Sequence, residues 1–118
     1  MPFVWVRTNP YKIGKTQFRQ LVENLPTIVA EALSVPGTDG ELTPEEIEVK
    51  VETFGLFDIH TKDLEIIILA QDFPERKKNL DERQRLITGK VRRLLSPSVT
   101  GITGFVWVLL QPGSFGEF

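Results

Sequence analysis

The sequence predicts a two-layer α+β sandwich: a four-stranded mixed sheet with two helices on one face. Three observations predict it. The chain has 118 residues, the length of one domain, taken as 1–118. Its apolar pattern runs strand, helix, strand and then repeats that order, in units of about 2–58 and 64–118. A strand–helix–strand unit crosses over right-handed with its strands parallel, so both helices fall on the same face of a shared sheet.

The first strand is Phe3 to Val6, an aromatic and β-branched run. Asn9-Pro10 and Gly14 break it. From Thr16, the expected N-cap, the period changes. Phe18, Leu21, Val22, Leu25, Ile28, Val29, Ala32 and Leu33 fall on one helical stripe. Pro26 lies within it and predicts a kink. Ser34-Val35-Pro36-Gly37 ends the helix, and Thr38 to Glu46 is an acidic connector. Ile47, Val49 and Val51 then alternate with Glu48, Lys50 and Glu52, as in a half-exposed strand.

The second unit opens on Ile66-Ile67-Ile68-Leu69-Ala70, a run suited to a strand buried on both faces. Asp72 to Lys78 reads as a polar loop. Asn79 and Glu82 have capping-box spacing for a second helix. Leu80, Leu86, Ile87, Val91, Leu94 and Leu95 form its apolar stripe, and Ser96-Pro97-Ser98 stops it. Thr100 to Leu110 is the last strand, with Gly101 and Gly104 as bulge or close-approach positions. A short tail ends in Phe115 and Phe118.

This architecture leaves one sheet face unexplained. Phe3 and Trp5 oppose Val4 and Val6, and Phe105, Trp107 and Leu109 oppose Val106, Val108 and Leu110. Both faces are apolar, yet two helices cover only one. A large exposed apolar face is unusual in a monomer, so a second copy is expected to bury it. The alternative is that the acidic connector and the tail fold across it.

Composition removes several function classes. Hydrophobic residues make up 41% and charged ones 25%, which excludes disorder. There is no cysteine and one histidine, His60, so no thiolate or multi-histidine metal centre is expected. A net charge of -2 argues against a general nucleic-acid binder. The longest apolar run, Phe105 to Leu110, is far too short to span a membrane, and the start lacks a signal-peptide pattern. A cytoplasmic protein is the simplest expectation.

A duplicated strand–helix–strand unit that passes from Met1-Pro2 directly into Phe3-Val4-Trp5-Val6 resembles the tautomerase superfamily. Asn79-Leu80-Asp81-Glu82-Arg83-Gln84 is similar to the helix start after the third strand in its isomerase branch, and Gly14-Lys15-Thr16 is a looser echo of the first helix start. The resemblance implies a homotrimer with the sheets around a central axis. It implies catalysis by an N-terminal proline, Pro2, after removal of Met1, on a small keto or enol acid and without a cofactor. Dehalogenases and decarboxylases share that frame. It also implies that a cation just before the second helix binds the substrate carboxylate; by register this is Lys78, with Arg76 as the neighbouring substitute.

The chemistry of Pro2 follows from its structure. A terminal α-amine titrates near ~7.7–8.0, and apolar surroundings lower that value. A partly neutral secondary amine on a strand end can take a proton from carbon beside a carbonyl. Trp107 and Phe57 are expected to wall such a site. From Glu75 to Arg93 there are eight basic and three acidic side chains, which supports an anion site there; Arg83, Arg85, Arg92 and Arg93 read as a solvated helix face. One departure stands out: Glu48 falls where short tautomerases carry a carboxylate-binding arginine. Two other readings share the element order. One is a catalytically silent tautomerase-like trimer, and the other is a ferredoxin-like binding or regulatory module.

Overall fold

In β1 (Phe3–Thr8), Val4, Val6 and Thr8 are buried and Phe3, Trp5 and Arg7 are half-buried, so the alternation in the sequence becomes two faces. The computed structural model describes residues 2–96 and 101–118. After β1 come α1 (Lys15–Leu33), a 3₁₀ turn (Pro44–Glu46) and β2 (Glu48–Thr53). The second half holds β3 (Leu64–Gln71), a short α2 (Pro74–Lys78), α3 (Leu80–Leu95) and β4 (Gly104–Gln111).

The sheet order is β2-β1-β3-β4. The β1–β2 and β3–β4 pairs are parallel, and β1–β3 is antiparallel. Each helical crossover therefore joins adjacent strands, and the two units meet at the central β1–β3 seam. A ferredoxin-like sheet splits its strand–helix–strand units, inserting another strand between the two. The adjacency of β1 and β2 excludes that arrangement here.

The predicted layers are present. Leu21, Leu25, Val29 and Leu33 of α1 pack with Ile87, Val91 and Leu95 of α3 over Val4, Val6, Ile66, Ile68 and Val108. Burying each such side chain contributes roughly 1.5–3 kcal/mol. Leu86, expected in this stripe, is instead 45% exposed.

Several local expectations are corrected. Helix α1 starts at Lys15, and its N-cap is Gly14, without a side-chain bond, not Thr16. It runs unbroken through Pro26. An interior proline costs a helix about 3 kcal/mol, but Leu25, Ile28 and Val29 are buried on either side of it and hold the segment helical. The expected loop before α3 contains α2; Pro74 occupies its first turn, where the missing N–H costs nothing. The Asn79–Glu82 capping box does not form, and Asn79 Oδ1 accepts a bond from Arg83 Nε at 2.7 Å. The reciprocal acid appears instead at Thr43, whose N–H and hydroxyl both donate to Glu46 Oε1. The last strand begins at Gly104 instead of Thr100, and Gly101 turns with φ 70°. Thr100, Pro97, Ser98 and Met1 lie outside the described residues.

The face away from the helices is readable in rows. Glu48, Phe3, Leu69 and Leu109 lie across it, then Lys50, Trp5, Ile67 and Trp107, then Glu52, Arg7, Glu65 and Phe105. Charge is concentrated on the β2 side, while the β3–β4 side is an apolar lane. The connector does not cover this face, because Leu42 and Ile47 pack into the helical core. The tail reaches only its end, and Trp107 remains 55% exposed and Phe105 38%.

Candidate functional site at the Pro2 end of the sheet

Pro2 immediately precedes β1 and is fully buried. Its carbonyl accepts a bond from Glu48 N at 3.2 Å, which extends the β1–β2 ladder by one residue. Since Phe3 stands on the open face, strand alternation puts Pro2 on the side of Val4 and the helices. By the β1–β3 register it lies level with Ala70, where β3 ends and the chain turns toward α2. A rigid ring is thus seated at the end of a central strand, with Glu48 bonded to its carbonyl on one side and Ala70 level with it on the other.

A cleft of about 220 Å³ opens at this end, lined among others by Phe3, Leu69, Gln71, Gln111, Pro112 and Phe115. The tail that forms one wall is held where Asp72 N donates to Gln111 O at 3.2 Å. A larger cleft of about 650 Å³ lies at the opposite end, between α3 and β3–β4. Among the described residues its charged lining is Lys62 and Arg92, with no carboxylate beside them. The smaller cleft is the better candidate because it opens at the strand end that holds Pro2: its lining takes in Phe3 and Ala70, next to Pro2 in chain and register, though not Pro2 itself.

Arg76 has a different task from the one expected. It is 2% exposed. Its Nε donates to Leu33 O at 2.8 Å, Nη1 to Gln71 O at 2.8 Å and Nη2 to Gly40 O at 3.1 Å. Its guanidinium lies 4.9 Å from the Phe73 ring centre. Burial, and secondarily the neighbouring Arg83 charge, pull its pKa below the ordinary arginine value. Arg83, expected on a solvated face, donates to Ala32 O at 3.0 Å and Ser34 O at 3.1 Å. The last turn of α1 has no basic residue of its own. Two arginines from the second unit therefore supply the cations and donors that its C-terminal carbonyls need.

Lys78 is exposed on the last residue of α2, just before the Asn79 cap of α3, as its position in the sequence suggested. Lys77 pairs with Asp72 at 2.9 Å. Pro2, Arg76 and Lys78 therefore come to one end of the sheet, with only Lys78 bearing an exposed cation. Trp107 stands on the open face in the row of Trp5 and Ile67. Phe57 is 92% exposed in the loop after β2, at the far end of the strands. Six strand residues separate it from the Pro2 end, roughly 20 Å at ~3.3 Å per residue. Within one chain Phe57 does not wall the same cleft.

Sequence reasoning missed a second cluster. Arg7 on the open face pairs with Asp58 at 3.2 Å and Glu65 at 3.3 Å, with Glu52 at 3.9 Å. It lies over Trp5 and Phe54, 5.8 and 5.3 Å from the ring centres. An arginine at an open-face position of a central strand was the available signal. Among the described residues, no group of three or more His, Asp or Glu side chains is arranged to hold a metal ion. Among the described residues, no helix is long and apolar enough to cross a membrane.

No protein-family model matches the chain, and neither does any curated protein sequence. Solved structures do match in fold. A malonate semialdehyde decarboxylase, studied in wild-type, proline-mutant and inactivated forms, superposes with a TM-score of 0.64 at 14% identity, covering 98% of this chain and 91% of that one. A macrophage migration inhibitory factor-like protein from Entamoeba histolytica gives 0.56 at 14% identity, over 96% and 89%. A fused 4-OT described as a symmetric trimer gives 0.58 at 10% identity, over 93% and 85%.

Proposed function

From the premise that the chain has the fold of the tautomerase superfamily, we propose that it is a tautomerase-type enzyme that uses the amine of Pro2 as a general base on a small keto or enol acid. The observation that carries this reading is the seat of Pro2: a buried ring at the start of a central strand, at the end of the sheet where a small cleft opens. Removal of Met1 turns its amide nitrogen into a secondary amine. The apolar residues on its own face of the sheet, Val4 and Ala70 among them, favour the neutral form. The amine takes a proton from carbon next to the substrate carbonyl and returns one to another atom of the same conjugated system. Lys78 is the remaining candidate for the substrate carboxylate, with the free N–H groups of the first turn of α3 beside it. A homotrimer buries the open sheet face, and Trp107 belongs to that face.

Arg76 favours a second reading. An arginine whose three donors hold backbone carbonyls is not free to bind a carboxylate, and this suits a catalytically silent member of the same fold. Intact mass and a rate assay separate the two. Protein whose mass shows loss of Met1 should ketonise phenylenolpyruvate, with a rate that rises with pH through the titration of the amine and then levels. Pro2→Ala retains an amine but loses the ring, and should lower kcat at least tenfold. A processed protein inert toward a panel of enol and halo acids would establish the silent reading.

A further inference from the structure

The larger cleft, about 650 Å³ at the end of the sheet away from Pro2, has a definite structural cause. On the helix side of the sheet, Thr8, Leu64 and Gly104 form one row and Val6, Ile66 and Val106 the next. Strand β4 thus opens on a position with no side chain, where the last turns of α3 pass over the sheet. A Cβ at Gly104 would meet Leu64 O at 2.6 Å. The close pairing therefore demands glycine, and the glycine leaves room under α3. That room is walled by Leu64, Ile66, Val91, Leu95, Ile102 and Val106. Its volume lies within the ~300–1,000 Å³ of pockets that hold small molecules.

The polar groups at this cleft favour a ligand of one sign. Lys62 precedes β3 and Arg92 lies in the last turn of α3, and both are exposed. Among the described residues neither has an ion-pair partner, whereas Arg7, Lys77 and Lys90 each do. The adjoining acid in the chain, Asp63, is taken up by Thr103, whose N and Oγ1 donate to its Oδ2 at 2.9 and 3.3 Å. Residues 97–100, Pro-Ser-Val-Thr in sequence, add no ionisable side chain. Arg92 and Arg93 together outweigh the roughly half negative charge of a helix C-terminus. Deeper in, Thr88 Oγ1 accepts a bond from Gln84 Nε2 at 2.8 Å, and the same amide donates to Val106 O at 3.1 Å. An oxygen so engaged presents its own O–H as a donor. Apolar walls, two cations without acids and an oriented donor fit a molecule with an apolar body and one anionic head.

We propose that this cleft binds a small amphiphilic carboxylate, with its head between Lys62 and Arg92 and its apolar body against Leu64, Leu95 and Ile102. The site lies at the opposite end of the sheet from Pro2 and stands or falls independently of the catalytic reading. Isothermal titration calorimetry of the full chain tests it with octanoate, and with 1-octanol as the uncharged counterpart. Octanoate should bind saturably, one molecule per chain. The Lys62→Gln/Arg92→Gln double variant should weaken octanoate about tenfold, since an exposed ion pair contributes only a few-fold. The same variant should bind 1-octanol as wild type does, and wild type should bind 1-octanol about tenfold more weakly than octanoate. Both replaced side chains are exposed, and far-ultraviolet circular dichroism confirms that the variant is folded. In nuclear magnetic resonance spectra, octanoate should shift the amide signals of Thr88, Val91, Leu95 and Thr103. Absence of saturable binding would overturn the proposal. So would a double variant that binds octanoate as tightly as wild type, or equal binding of octanoate and 1-octanol, because the two cations would then recognise nothing. Shifts gathered at Leu69, Gln111 and Phe115 would assign the ligand to the cleft at the Pro2 end and refute this site.

Discussion

Arg76 donates to three carbonyls, at Leu33, Gly40 and Gln71, and Gly40 O also accepts a bond from Val35 N at 2.9 Å. Leaving a buried acceptor unsatisfied costs about 1–3 kcal/mol. With two of these acceptors depending on it, Arg76→Ala should destabilise the fold by about 2–5 kcal/mol, read as a lower urea midpoint. Arg76→Lys should recover little, because an ammonium cannot reproduce the planar fork that spans three acceptors. Lys78→Ala, at an exposed position two residues on, should change stability by less than about 0.5 kcal/mol. A mild Arg76→Ala would show that the clamp contributes little and return the residue to the binding role first expected of it. The sequence shows both cations arriving before α3. It cannot show which one turns inward, because that depends on where the end of α1 lands 43 positions earlier in the chain. Arg83 was opaque for the same reason: its acceptors, Ala32 and Ser34, belong to the other unit. Pro2 was legible because its place follows from adjacency to β1 alone.

At the scale of elements, strands and helices were readable where period and burial agree, and their ends were not. Two glycines give a paired test. At Gly104, the first residue of β4, an added Cβ would sit 2.6 Å from Leu64 O, a backbone atom within the β3–β4 pairing. Backbone in a paired strand cannot step aside as a side-chain tip can. Gly104→Ala should therefore cost about 1–3 kcal/mol, the usual penalty of overpacking. At Gly89, inside α3, an added methyl meets nothing within 4 Å. Gly89→Ala should stabilise by about 0.5–1 kcal/mol through helix propensity. Opposite signs for the two substitutions in urea titrations check both assignments; equal signs would mean that the β4 register is shifted. The close approach at Gly104 was visible in the sequence as a glycine out of keeping with a strand. The start of the strand there, four residues after the predicted one, was not, since strand composition alone does not mark where pairing begins. Similarly, α2 stayed hidden because five polar residues carry no apolar period, although Pro74 marks its first turn.

The whole molecule brings together the inference that both faces of the sheet are apolar and the finding that only one is covered. That inference needed no more than alternation in β1 and β4, which is why it survives contact with the structure. The charged half of the open face was not foreseen, because Arg7, Glu52, Asp58 and Glu65 converge from four separate segments. The consequence concerns heat. If the chain unfolds from an oligomer, dissociation is part of unfolding, and mass action makes the midpoint depend on protein concentration. For a trimer, a hundredfold rise in concentration adds roughly 2 kcal/mol per chain, since binding of the native state scales as the logarithm of partner concentration. For a domain of this size 1 kcal/mol moves Tm by about 4–8 °C at the small end of the range and less above it, so Tm should climb by roughly 5–10 °C. A Trp107→Asp variant, which puts a charge on the uncovered face and confines the protein to single chains, should melt at one temperature across the same range. A wild-type Tm that ignores concentration would mean that the Phe105–Trp107–Leu109 lane is tolerated in water by a lone chain, and the apolar-face argument would fail at its first step.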